Sequence, residues 1–237
     1  AAPEPRLASW SFDDQLAVVL EERPAVFSST FGGIDPAPLR EAGIVVVGTA
    51  TTVDEAKALE ASGVDAIVVQ SAEAGGHRGT FLGTFEESLV PLAELVPAAS
   101  AAVSVPVLAA GGIVDGAGIA AALAAGAQGV QLGTAFLFTP ECETPPAWLA
   151  ALRTNETIVT PAYSGRHARA ARTPFLDELA AAGEPLPYPL QRAVIADLAG
   201  VDGYGLYLGG TAAPGARALA VAELVQILVA ETEAARA

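Results

Sequence analysis

The chain has 237 residues, enough for one large α/β domain or two small ones. With 52% apolar and only 16% charged residues it can bury a sizeable core, which argues against disorder. Its formal charge of −15, from 12 basic and 27 acidic side chains, repels nucleic acid and anionic membrane and argues against both as partners.

In chain order, Ser11 opens a first helical stretch (SFDDQLAVVLEER) as its N-cap, with Asp14 three residues on. Five short runs rich in β-branched residues then recur: Ala25–Ser29, Ile44–Thr49, Ala66–Gln70, Pro106–Ala110 and Gly129–Gly133. They are apolar on both faces, as parallel strands covered on both sides should be. Helical periodicity fills the gaps: VDEAKALEAS capped by Thr52 or Asp54, FEESLVPLAELVPAAS from Phe85, and a stretch opened by Asp115 and closed by Gly126. Three times a helix ends in a small residue plus Gly and runs straight into a strand, at Glu41–Val47, Ala61–Val69 and Ala124–Leu132. Alternating strands and helices of this kind build βαβ units, in a barrel or in an open doubly wound sheet. Beyond residue 138 the pattern changes. Residues 139–173 read as irregular, with an extended piece at Thr157–Tyr163, and helices follow at Pro174–Ala182, Pro189–Ala199 and Pro214–Arg236. Nothing marks a second domain, so residues 1–237 are expected to form one unit, with 1–138 as βα units and 139–237 packing on them.

No apolar run approaches the eighteen or so residues of a membrane span. One cysteine, Cys142, excludes an internal disulfide and fits a reducing, cytoplasmic setting. It reads as incidental. With His77 and His167 as the only histidines, no metal site is expected.

Three glycine-bearing segments follow strands, where α/β proteins place their sites. They are Gln70–Phe81 (QSAEAGGHRGTF), Ala109–Ile113 (AAGGI) and Gln131–Phe136 (QLGTAF). Two successive bends bearing Gly111-Gly112 and Gly133-Thr134 suit a phosphate held by main-chain N–H groups, because no side chain intrudes. The bland alternative is that such glycines only make tight turns. His77 is either structural or an acid–base group beside a flat cofactor. Glu73 is a solvated carboxylate or orients His77, and Arg78 contacts a cofactor or pairs with an acidic neighbour. The arginines of SGRHARAAR (Ser164–Arg172) read first as a solvated basic loop and second as an anion-binding lid. Neither Ser104 nor Ser164 lies in a nucleophile-elbow pattern.

EAGGHRGTF, VLAAGGI and GVQLGTAF, in that order and spacing, resemble the nitronate monooxygenases, formerly 2-nitropropane dioxygenases. The likeness covers roughly residues 25–175 and includes VGTATTVDEAKALEASGVDAIVVQ at Val47–Gln70. It implies a (β/α)8 TIM barrel with FMN at its C-terminal face, in which Thr49, Gln70, Gly75, Gly76, Ala110, Gly111, Gly112, Gly133 and Thr134 contact the cofactor. It implies that His77 is the catalytic residue. It implies FMN-dependent oxidation of an alkyl nitronate by dioxygen to a carbonyl compound and nitrite, or of a nitroalkane once His77 has removed its α-proton. A homodimer is the assembly it leaves open. Two features depart from the family. Its first strand, ending in a Pro-Met-Ala-Gly-Gly-like turn, and the two βα units after it are not seen, so about five of eight barrel units are expected here, with an N-terminal part missing. Tyr207-Leu208-Gly209-Gly210 stands where a Trp-Ala-Gly-Gln-like turn is expected. Thr49 replaces a lysine of some relatives, which favours the nitronate branch over the quinone-reductase branch. The alternatives are a flavin-dependent NAD(P)H reductase of enoyl-thioesters or quinones, and an inactive truncated fragment.

Overall fold

A computed structural model describes residues 11–154, 156–198, 201 and 203–237. Its first helix, α1 (Phe12–Glu22), is closed at its start by the expected capping box. Ser11 Oγ accepts from Asp14 N–H, and the Asp14 carboxylate accepts from Ser11 N–H. Strand β1 (Val26–Ser29) leads through a short helix, α2 (Ala37–Glu41), to β2 (Val45–Ala50). Helix α3 (Val53–Ser62) starts at Thr52, whose hydroxyl accepts from Glu55 N–H, and it ends at Gly63 with φ +95°. Strand β3 (Ala66–Gln70) and the two-residue β4 (Gly76–His77) follow.

The helix expected from Phe85 is corrected. Residues Glu86–Ser88 form a separate 3-10 turn, Pro91 breaks the chain, and α4 runs over Leu92–Ala102. Proline cannot donate the hydrogen bond that a continuous helix needs there, but it fits the position just before a first turn. Strand β5 (Val107–Ala110) passes into α5 (Gly116–Ala124), capped by Asp115 through Gly118 N–H. Then come β6 (Gly129–Gln131) and the one-turn α6 (Thr134–Leu137).

Strands β1, β2, β3, β5 and β6 form one parallel sheet in that order, each paired with the next. These are the five runs read from the sequence, shifted by at most two residues at an end. The three helix closures also stand: Gly43, Gly63 and Gly126 all have positive φ, at +79°, +95° and +111°. The core lies between this sheet and its helices, around Leu39, Val46, Ile67, Val69, Leu95, Val96 and Val107. Among the described residues the sheet is an arc with two free edges, and closure into an eight-stranded ring would take three more strands.

Residues 139–173 are more ordered than their composition suggests. They hold a helix, α7 (Pro146–Thr154), and a hairpin of β7 (Thr157–Thr160) and β8 (Ala168–Ala171). Strand β4 pairs antiparallel with β8 as Gly76↔Arg169 and His77↔Ala168, making a second sheet of three short strands. Helices α8 (Pro174–Ala181) and α9 (Leu190–Val194) follow. The expected helix over 189–199 is shorter and ends in a 3-10 turn at Ala196–Leu198; its last residue lies outside those described. The terminal helix α10 spans Val221–Arg236 instead of starting at Pro214, which belongs to a separate 3-10 turn. It docks on the start of α5, where the Glu231 carboxylate accepts from Gly116 N–H at 3.0 Å and meets Arg217 at 2.8 Å. No helix among the described residues is long and apolar enough to cross a membrane.

Candidate active site

The C-terminal ends of β2, β3, β5 and β6 open into a cleft of about 360 Å3. Thr49, Gln70, Gly75, Gly76, Ala110, Gly111, Gly112, Gly133 and Thr134 all line it, so the structure brings every predicted cofactor contact onto one surface. Ile113, Leu137, Trp148 and Leu208 add apolar wall, and among the described residues no charged side chain lines the space.

Glycine is required at several of these positions for steric reasons. A Cβ on Gly75 would sit 2.5 Å from the backbone of Gly209 and Gly210. Gly111 and Gly112 have φ of +119° and +68°, a region costly for side-chain-bearing residues, and a Cβ on Gly111 would press on Ser71 and Ala74. The first bend therefore closes tightly on the 71–75 loop. Gly133 has open space around it. The Thr134 hydroxyl accepts from Gly210 N–H at 2.9 Å, which leaves its own proton free to donate. Gln70 has a different task from ligand contact alone. Its amide donates to the His77 carbonyl at 3.0 Å and accepts from Gly79 N–H at 2.9 Å, clamping the loop that carries the histidine.

His77 lines a second cavity, of about 690 Å3, which shares Trp148 and Leu208 as a wall with the first. Tyr163, Ser164, Arg192, Leu206 and Tyr207 are also part of its lining. The His77 Nε2 lies 2.8 Å from Ser164 Oγ, and the Tyr188 ring meets the imidazole edge-on at 5.7 Å between centroids. Burial, then the charges of Arg166 and Arg192, push the imidazole pKa below its ordinary value, so His77 is neutral at pH 7.

Three readings of nearby residues are corrected. Glu73 is not beside the imidazole; its carboxylate accepts from Leu92 N–H at 3.1 Å, at the start of α4. Arg78 neither faces the cleft nor pairs with an acid. It is buried and donates to the carbonyls of Ser71, Gln70 and Ser88, and burial lowers its pKa to about 10. The segment Ser164–Arg172 is no solvated basic loop. Arg166 donates to the carbonyls of Arg78 and Thr80 and stacks over Phe31, and Arg169 donates twice to the Ala72 carbonyl. Only Arg172 is outward, paired with Glu156 and Asp177.

Sequence reasoning missed Trp148, Ser164, Arg192 and the 208–212 turn. The turn was noted only as a departure, yet it completes the cleft. Its ends are pinned by Trp148 Nε1–H donating to the Leu208 carbonyl at 2.8 Å and by Thr211 N–H donating to the Glu73 carbonyl at 3.0 Å. Ser164 lies in no nucleophile pattern, and no local signal ties it to a histidine 87 residues away in sequence.

Residues 4–231 match the family model described as nitronate monooxygenase. A nitronate monooxygenase of Paraburkholderia phytofirmans is 45% identical, with 91% of this chain covering 63% of that protein. One from Pseudomonas aeruginosa is 42% identical, with 91% of this chain covering 66% of it. The chain thus spans slightly under two thirds of the length of these curated relatives. Among solved structures, nitroalkane oxidase from Streptomyces ansochromogenes superposes with a TM-score of 0.86 at 38% identity, over 95% of this chain and 69% of that one. FabK from Thermotoga maritima gives 0.79 at 30% identity, over 96% and 74%. With its five-unit parallel arc, its glycine-lined cleft and a match over nearly its whole length, the chain belongs to the nitronate monooxygenase family.

Proposed function

We propose that the cleft holds FMN and that the adjoining cavity receives a small nitro compound, which is oxidised by dioxygen to a carbonyl compound and nitrite. One observation carries the reading: nine expected contacts line a single cleft that holds no charged side chain among the described residues, and its wall is shared with the cavity of a neutral histidine. The residues fit such a cofactor. Gly75 packs on Gly209 where any Cβ would intrude, and Trp148, Leu137 and Leu208 offer apolar surface to a flat ring. Main-chain groups around Gly111–Gly112 and Gly133–Thr134, with the Thr134 hydroxyl, would take the phosphate.

Bound FMN would supply the electron-accepting chemistry that no side chain here can provide. The chain's own residues orient the substrate and manage its proton. A nitronate enters as an anion, and Arg192 gives its cavity a positive charge. A neutral nitroalkane must first lose its α-proton, and a half-buried neutral imidazole is the base within reach.

The test is oxygen uptake by the purified, FMN-loaded protein. Nitronate-dependent uptake with nitrite release, and no consumption of NADH or NADPH, is expected. Oxidation of NAD(P)H without any nitronate response would replace this reading with a flavin reductase.

A further inference from the structure

The hydrogen bonds around Ser164 determine which nitrogen of His77 carries its proton. Ser164 Oγ is buried and makes three contacts: to His77 Nε2 at 2.8 Å, to the Arg166 carbonyl at 2.9 Å and to Arg166 N–H at 3.3 Å. A serine hydroxyl has one proton and two lone pairs. A carbonyl can only accept, so the single proton points at the Arg166 carbonyl. An amide N–H can only donate, so it takes one lone pair. The other lone pair is left for His77 Nε2, which must then be a donor. This is the one arrangement in which all three short contacts are hydrogen bonds. Reversing the His77–Ser164 bond would leave a carbonyl in the 164–166 turn without its partner, at a cost on the order of 1–3 kcal/mol where such a group is shielded from water.

We propose that Ser164 is a positioning residue that holds neutral His77 as the Nε2–H tautomer, making Nδ1 the atom that removes the α-proton of a neutral nitroalkane. This rests on the nitro-compound reading above and deepens it, since it gives the substrate form the histidine is arranged to meet. Nδ1 has no partner among the described residues. The ring cannot turn freely to exchange its nitrogens. Its Nε2 is held by buried Ser164 and the ring packs against Tyr188, while the main chain that carries it is fixed by β8 and Gln70. In the step, the α-carbon–hydrogen bond breaks and the proton moves to Nδ1. The bonding pair becomes the carbon–nitrogen double bond as the nitrogen–oxygen π pair moves onto a nitro oxygen, giving the nitronate anion, and His77 becomes imidazolium. Its Nε2–H bond to Ser164 then becomes charge-assisted and stronger, which favours the transfer.

Two measurements test this. The first is long-range proton–nitrogen NMR on the nitrogen-15-labelled protein, with His167→Gln separating the two histidines. A protonated Nε2 and an unprotonated Nδ1 on His77 are expected above the pH of its titration; a protonated Nδ1 overturns the proposal. The second compares substrates in Ser164→Ala. Turnover of neutral nitroalkane should fall roughly 10- to 100-fold further than turnover of preformed nitronate, which needs no proton removed. Ser164→Thr, which keeps the hydroxyl, should recover most of the loss. Equal effects on both substrates, or none, would contradict a proton-abstraction role, as would a parent protein that oxidises nitronate but no nitroalkane. A protein inert to both would instead sink the nitro-compound reading, and the NMR result would still decide the tautomer.

Discussion

At the scale of single residues, the histidine's environment makes a signed prediction. Burial, Arg166 and Arg192 all lower the His77 pKa, so the base form persists below the ordinary titration range near 6.5. Nitroalkane turnover should hold steady from neutral pH downward and fall only when pH passes below that lowered value. Arg192→Ala removes one depressing charge, so the acid limb of the pH–rate profile should move to higher pH; a limb that moves lower would contradict the assignment. His77→Asn should cut nitroalkane turnover by about 100-fold or more with FMN still bound, as judged from the visible spectrum. Arg78 sits a residue away and has another task. Its guanidinium satisfies three carbonyls at the end of β3 and in the 86–88 turn, so Arg78→Met should lower unfolding free energy by on the order of 2–4 kcal/mol in denaturant titration. Both residues were visible in the Gly-Gly-His-Arg-Gly string. Their separate roles were not, because adjacent side chains on extended chain point to opposite sides and only tertiary packing says what lies on each.

At the scale of elements, legibility followed the range of the forces involved. Strands β2, β3 and β5 announced themselves by runs of Val, Ile, Leu and Ala, because burial on both faces leaves little room for polar alternation, whereas β1 (VFSS) and β6 (GVQ) were legible mainly by their place between helices. Helix starts were legible where a side chain caps within three residues, as at Ser11, Thr52 and Asp115. Asp115→Ala should therefore cost about 1 kcal/mol, measurable as a lowered Tm. The hairpin of β7 and β8 was mostly hidden. Ala168–Ala171 reads ARAA, with no β-branched residue, and is made a strand by its neighbours and by Arg169 reaching the Ala72 carbonyl. Helix α7 was obscured by the prolines before it, although Trp148 and Leu152 face the wall beneath the cleft. The Gly209-Gly210 pair marks the 208–212 segment as a turn, but nothing local says what it packs on. Its value comes from Gly75 and Thr134, which are distant in sequence and adjacent in space.

At the scale of the whole molecule, a chain of charge −15 is proposed to bind a dianionic ester in a cleft lined by no Lys or Arg among the described residues. Attraction must then come from main-chain dipoles and shape, acting against an unfavourable overall field. FMN affinity should consequently rise or hold constant as salt screens that field, whereas a site built on Lys/Arg would weaken with salt. The cleft rests on an arc of parallel strands that ends at β1 and β6 among the described residues, and the β4–β8 pairing and the 208–212 turn add contacts beside it. The most direct measurement is a flavin titration followed by fluorescence, with FMN and riboflavin side by side on the parent protein and on Gly112→Val. FMN should bind at least about tenfold more tightly than riboflavin, a phosphate contribution of about 1.4 kcal/mol, and the valine should abolish the difference. Equal affinity for the two flavins, or a preference untouched by the substitution, would contradict a phosphate held at these glycine bends.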